Sequence, residues 1–154
     1  MQISDLITVD AVEANLRITS KKQALQELSK RIAVISGEHE RAIFDVLMER
    51  ERLGTTGVGH GIAIPHGKLA SITRLYGFFA RLETPIDFQA IDDQPVDLVF
   101  VLLAPETAGA DHLKALARVS RLLRNDKACE KLRGTDSNEA LFLLLTDQSA
   151  LEAA

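Results

Sequence analysis

Val96 to Leu103 read as one β-rich strand, apolar at every position except Asp97. Successive side chains of a strand point to opposite faces, so a run of this kind has to be covered on both. The chain must therefore place it centrally in a sheet, with helices packed against it. The unbroken apolar stretch, Leu98 to Pro105, is too short to cross a bilayer. Asp92-Asp93-Gln94-Pro95 supplies the turn that leads into it.

The flanking segments carry the helical period. Ser20 is the expected N-cap of a helix running through Ile35, and Gly37 its stop. Ala24, Leu25, Leu28, Ile32 and Ile35 would form the buried face. A second helix is predicted from Glu40 to Leu53, with Ala42, Ile43, Val46 and Leu47 inward and Gly54 ending it. Tyr76 to Leu82 and the shorter Ile62 to Ile64 read as further strands. After Pro105 a helix is expected with Leu113, Leu116, Ala117, Ser120 and Leu123 on its buried stripe. Asp136 and Glu139 resemble a capping box for a last helix through Leu145. Helices, then strands, then helices predict an α/β fold, a single domain with helices packed on the faces of a sheet.

With 154 residues the chain is long enough for one domain with a substantial core, read as 1–154 with its core at about 3–146. A net charge of −4 argues against binding nucleic acid through its phosphate backbone. Cys129 is the only cysteine, so no internal disulfide forms. Neither a signal peptide nor a membrane span is recognisable, and a cytoplasmic location is expected. Cys129 is expected to be a small buried side chain rather than a reactive thiol.

The chemistry concentrates in Gly57-Val58-Gly59-His60-Gly61-Ile62-Ala63-Ile64-Pro65-His66-Gly67-Lys68. Pro65 restricts the backbone before His66, and Gly67 removes bulk after it, so the imidazole is presented with room for another molecule. Imidazole is the side chain suited to nucleophilic work near neutral pH. Accepting a phosphoryl group needs a partner for the other ring nitrogen, donors for the phosphoryl oxygens and restricted water. Arg50 lies upstream in the helix that feeds the loop, and His112 opens a later helix after Thr107-Ala108-Gly109-Ala110. Of the other histidines, His39 is expected at the surface and His60 in the loop. Gly61 to Lys68 fails as a P-loop, with five residues between its glycines and Leu69 where Ser or Thr is required. Gly57 to Gly61 also lacks the spacing of the dinucleotide fingerprint. Nucleotide binding is unsupported.

These blocks, with Arg50 to Gly57, Leu82-Glu83-Thr84-Pro85-Ile86-Asp87-Phe88, Ala90 to Leu98 and His112-Leu113, resemble one family along nearly the whole chain. It is the enzyme IIA family of the mannitol/fructose class of the bacterial phosphoenolpyruvate phosphotransferase system, and the chain looks most like its stand-alone nitrogen-related branch. The resemblance implies an α/β sandwich with a mixed β-sheet flanked by helices. It implies a phosphoryl acceptor at His66, on the tele nitrogen, with a second active-site histidine at His112 and an arginine at Arg50. From the residues alone, Thr55 and Thr56 either donate to phosphoryl oxygens or satisfy the backbone of the loop, and the glycine-flanked amide at Gly67 is a further candidate donor. The implied donor is an HPr-like phosphocarrier of the NPr type. The implied outputs are regulated proteins such as potassium-transport or stress-signalling components, with no metal, cofactor or nucleic acid. His60 departs from the Asn or small polar residue expected in relatives.

Three rival readings carry different expectations. A sugar-specific IIA would pass its phosphoryl group to a IIB domain. A metal hydrolase would gather His60, His66 and His112, although a convincing carboxylate or cysteine ligand is missing. A binding module would leave His66 unmodified.

Overall fold

The computed structural model describes residues 1–147, and its sheet is built around the strand singled out above. After two 3-10 turns at Ile3–Asp5 and Val9–Ala11 come β1 (Val12–Leu16), α1 (Lys21–Ser36) and α2 (Glu40–Arg52). Three short strands follow, β2 (Gly57–Gly59), β3 (Ile62–Ala63) and β4 (His66–Leu69), then the long pair β5 (Tyr76–Ile86) and β6 (Val96–Pro105). The described chain closes with α3 (Ala110–Leu123), α4 (Asp126–Arg133) and α5 (Asn138–Thr146).

The strand order is β1-β5-β6-β3-β2, with β4 also on β6. β1 is parallel to β5, β5 antiparallel to β6, and β3 and β4 both parallel to β6. The sheet is therefore mixed. β3 and β4 form one interrupted strand beside β6, matching Ile62 to Leu98 and His66 to Leu102. Pro65 lies in the interruption and has no N–H to donate, though its carbonyl still accepts from Leu102 N at 2.9 Å. That break is what brings His66 into the sheet at the start of a new strand.

Leu98 to Ala104 are all buried without exposed area, as a strand covered on both faces requires. α1 and α2 pack on each other and on β5 and β4, while α3, α4 and α5 form a second group against β6 and β1. Ser20 Oγ accepts from Gln23 N at 3.1 Å, and Gly37 ends α1 in the left-handed region at φ 76°. Both caps stand where the sequence places them. Among the described residues no helix is long and apolar enough to cross a membrane.

Several expectations change. β5 runs to Ile86, four residues beyond Leu82, because Ile86 pairs with Val96 after an irregularity at exposed Glu83, Thr84 and Pro85. β1, β2, β4 and α4 are not among the elements that the sequence predicts. β1 has the period-2 burial of an ordinary strand, and α4 is capped by Asn125 Oδ1 on Ala128 N at 3.0 Å. The cap of α5 is Ser137, whose Oγ accepts from Ala140 N at 3.3 Å, so Asp136 lies outside the helix. The buried stripe of α3 is His112, Ala115, Val119 and Leu123, while Leu113 is 68% exposed. The helix is turned by about one residue from the apolar pattern because a polar residue, His112, occupies its inner face. Cys129 is buried as expected; burial raises its thiol pKa, and Sγ lies 3.2 Å from the Leu123 carbonyl.

Candidate functional site

The glycine-rich segment is a hairpin. His60 and Gly61 make the two-residue turn between β2 and β3, both left-handed at φ 57° and 79°. Histidine tolerates that conformation better than most residues, and the backbone is restrained on both sides. His60 N–H donates to Asp92 Oδ2 at 2.9 Å, and its carbonyl accepts from Arg133 Nη2 at 2.8 Å. Arg133 also forms a two-pronged pair with Asp97, at 2.9 and 3.0 Å. A Cβ on Gly61 would fall 2.5 Å from Arg133 Nη2 and 2.8 Å from Asp97 Oδ1, so the clamp needs glycine there. His60 is thus an exposed turn residue. Among the described residues no three His, Cys, Asp or Glu side chains are grouped to hold a metal, so the site made of His60, His66 and His112 does not assemble.

His66 and His112 do meet. Their ring centroids are 5.7 Å apart with planes inclined at 47°. His66 Nδ1 lies 2.8 Å from the Ile64 carbonyl oxygen. A carbonyl can only accept, so this nitrogen carries the proton and Nε2 is left with its lone pair. Arg50 Nε–H donates to that Nε2 at 3.3 Å, and Arg50 Nη1 is anchored on the Gly54 carbonyl at 2.8 Å. Arg50 reaches this point because α2 packs closely on β4. A Cβ on Gly67 would sit 3.1 Å from Val46 Cγ2, so the glycine keeps the helix near.

Both imidazoles are biased toward the neutral form. The pKa of His66 is lowered from 6.5, chiefly by burial, with Arg50 acting the same way and the Ile64 carbonyl and Glu51 opposing. His112 is lowered too, by burial first and then by His66 and Lys68. His112 is 6% exposed, and its Nδ1 is the one buried side-chain polar atom without a hydrogen-bond partner among the described residues. A bare nitrogen is less costly there than an unsatisfied N–H, which favours the tautomer with its proton on Nε2. The pair therefore combines a lone pair on one ring with an N–H donor on the other.

Lowered pKa values have a consequence for stability. The unfolded chain takes up protons near 6.5, before the folded one does, so stability is full above that pH and declines as pH falls through it. The double variant His66→Ala, His112→Ala should show a shallower loss of stability on going from pH 7 toward the lowered values. Chemical denaturation across that range checks this, and identical slopes in both proteins would contradict the shifts.

The two threonines are engaged elsewhere. Thr55 Oγ1 donates to the Phe88 carbonyl at 3.2 Å and accepts from Gly57 N at 3.1 Å. Thr56 is buried, and its hydroxyl donates to Glu51. Their hydroxyl hydrogens hold the loop rather than facing the imidazoles. Two further groups at the site, the Glu51 carboxylate and the Ile64 carbonyl, are not among the residues that the sequence singles out. A capping-type Thr-Thr pair after α2 was the one available hint for Glu51. For a backbone oxygen there was none.

The family profile described as the phosphoenolpyruvate-dependent sugar phosphotransferase system, EIIA 2, matches residues 5–148. A nitrogen regulatory protein of Bradyrhizobium diazoefficiens is 56% identical over 145 residues, covering 94% of this chain and 95% of that protein. The crystal structure of nitrogen regulatory protein IIA-Ntr from Neisseria meningitidis superposes with a TM-score of 0.89 at 33% identity, over 94% of this chain and 99% of that one. Mannitol IIA of Escherichia coli shares the fold, with a TM-score of 0.76 at 20% identity over 91% and 99% of the two chains. The sandwich with a mixed six-stranded sheet, the facing pair His66 and His112, and these likenesses lead to one assignment: the chain belongs to the EIIA type 2 family of the phosphoenolpyruvate-dependent phosphotransferase system, with nitrogen regulatory proteins among its relatives.

Proposed function

We propose that the protein is a phosphocarrier of the nitrogen-related phosphotransferase system, working in the cytoplasm, with His66 as phosphoryl acceptor. The observation that carries this is the hydrogen bond between His66 Nδ1 and the Ile64 carbonyl, which leaves Nε2 as the nucleophile. The Nε2 lone pair attacks phosphorus on the donor's phosphohistidine. A nitrogen–phosphorus bond forms at His66 as the donor's breaks, and its electron pair returns to the donor nitrogen. The Nδ1 proton stays in place, and the charge gained by the ring is stabilised by the Ile64 carbonyl dipole. Arg50 turns its N–H from Nε2 to a phosphoryl oxygen, and His112 supplies the second donor. The product is a tele-phosphohistidine.

An HPr-like carrier of the NPr type fits this site as donor. Leu113, beside His112, and Leu53, three residues beyond Arg50, are 68% and 83% exposed. Apolar side chains so open, one next in sequence to His112 and one shortly after Arg50, suit contact with a protein rather than a small phosphate ester. Leu113→Asp is expected to raise the half-saturating donor concentration about tenfold, equal to about 1.4 kcal/mol of binding. Its maximal rate should not change. Unaltered donor kinetics would remove Leu113 from the docking face.

The phosphorylation state then selects regulated partners, for which potassium-transport and stress-signalling components are the candidates. The decisive experiment incubates the purified protein with phosphoenolpyruvate, the first enzyme of the relay and its carrier, and reads intact mass. One acid-labile phosphoryl group on His66 is expected; no adduct, or one at another residue, rejects the proposal. Rapid onward transfer to a sugar IIB domain would instead assign it to sugar uptake.

A further inference from the structure

The contacts that end on His66 begin three elements away. Glu51, in the last turn of α2, has a side chain only 4% exposed, and its oxygens meet donors alone. Thr56 N–H lies 3.2 Å from both oxygens, Thr56 Oγ1 donates to Oε1, and Lys21 Nζ lies 2.7 Å from Oε2. Lys21 is in turn held over the Phe88 ring, 4.9 Å from its centroid. The Thr56 carbonyl accepts from Ile64 N at 3.0 Å, and the Ile64 carbonyl accepts from His66 Nδ1 at 2.8 Å. Lys21, Glu51, Thr56, Ile64 and His66 thus form an unbroken polar chain from a buried ion pair to the imidazole.

Ile64 needs such support. It stands between β3 and β4, ahead of Pro65, and so lies outside both strands. Its carbonyl is aimed at the imidazole only as accurately as its own amide is held, and Thr56 does the holding. Glu51 also follows Arg50 directly, so one turn of α2 addresses both nitrogens of the ring: Nε2 through Arg50, Nδ1 through the relay.

From this geometry we infer that Glu51 is a positioning residue for phosphoryl acceptance: through Thr56 it holds the Ile64 carbonyl, and through that carbonyl the Nδ1–H tautomer of His66 that leaves Nε2 nucleophilic. The inference rests on His66 being the acceptor. It requires a carboxylate, because an amide has one accepting oxygen and would turn an N–H toward Thr56 or Lys21. A hydrophobic residue would leave Lys21 with a half-buried charge and the Thr56 amide without a partner.

The test uses the full chain with isotope-labelled ring nitrogens. The native protein should show His66 with its proton on Nδ1 alone. Glu51→Gln should show a mixture of tautomers. Its labelling by phosphorylated carrier should fall about tenfold in maximal rate, with the half-saturating carrier concentration unchanged. Thr56→Val keeps the amide and removes the hydroxyl; it should move the ring signals the same way by less, and it carries the test if Glu51→Gln does not fold. A dispersed amide spectrum and cooperative unfolding identify the folded variants. If the folded variants keep a pure Nδ1–H ring, Glu51 only braces the loop and the inference is overturned. The ring signals are read without phosphorylation, so a native protein that takes no label overturns the acceptor assignment separately.

Discussion

Replacing His66 with alanine should abolish phosphoryl transfer from the carrier while leaving the fold in place. The side chain is half-buried and makes two hydrogen bonds, to the Ile64 carbonyl and with Arg50, beside its ring contact with His112. Neither hydrogen bond supports the core, whose largest fully buried members include Phe78, Phe79, Phe88 and Phe100. His112 cannot substitute. Its Nδ1 is buried and unpartnered, so the ring has no carbonyl to stabilise the charge that phosphorylation would bring. Intact-mass measurement with the complete relay checks the loss. Residual label at the native rate would show that another side chain is the acceptor, and label on His112 would reverse the roles given to the two rings.

Arg50→Met is expected to lower the maximal labelling rate about a hundredfold, in the range seen when one preorganised donor to developing charge is removed. The guanidinium is pinned by Nη1 on the Gly54 carbonyl, which leaves Nε aimed at the reacting nitrogen. Once Nε2 bonds to phosphorus, that N–H has a phosphoryl oxygen as its nearest acceptor. Methionine keeps much of the stem's length and packing but offers no donor. Arg50→Lys should recover only part of the rate, because an ammonium cannot hold Gly54 and the phosphoryl group with one planar fork. Stopped reactions with phosphorylated carrier would measure both variants. Full activity in either would make Arg50 a surface charge of α2.

What could be read along the chain was whatever depends on near neighbours. Ser20 and Gly37 bound α1 because a cap is a contact within one turn. β6 was legible because an apolar run leaves one place for a strand in a sheet. His66 stood out through its own flanks, Pro65 and Gly67, and the resemblance carried over His112 and Arg50. The turn role of His60 needed the fold, since Asp92 and Arg133 hold it from distant segments.

Where the fold departs from the sequence expectations, each departure has its own cause. The expected α3 stripe holds Leu113, Leu116, Ala117, Ser120 and Leu123; Leu123 is buried, yet the helix also buries His112 and exposes Leu113. Apolar periodicity assumes that every inward position is apolar, and a buried polar residue, His112, breaks that assumption. α4 was overlooked because eight residues hold too few turns to show a period. Thr55 and Thr56, which by sequence could either meet phosphoryl oxygens or satisfy the loop backbone, direct their hydroxyl hydrogens to Phe88 and Glu51.

Composition and local spacing were therefore enough to specify an α/β fold with a presented histidine, because those properties follow from side-chain polarity and turn geometry over a few residues. The resemblance implies the tele nitrogen of that histidine, but the physical reason why that nitrogen is free exists only in the folded chain. The Ile64 carbonyl is a backbone group common to every residue type, and it becomes a selector of tautomer only when the hairpin, α2 and the interrupted strand bring it within 2.8 Å of Nδ1.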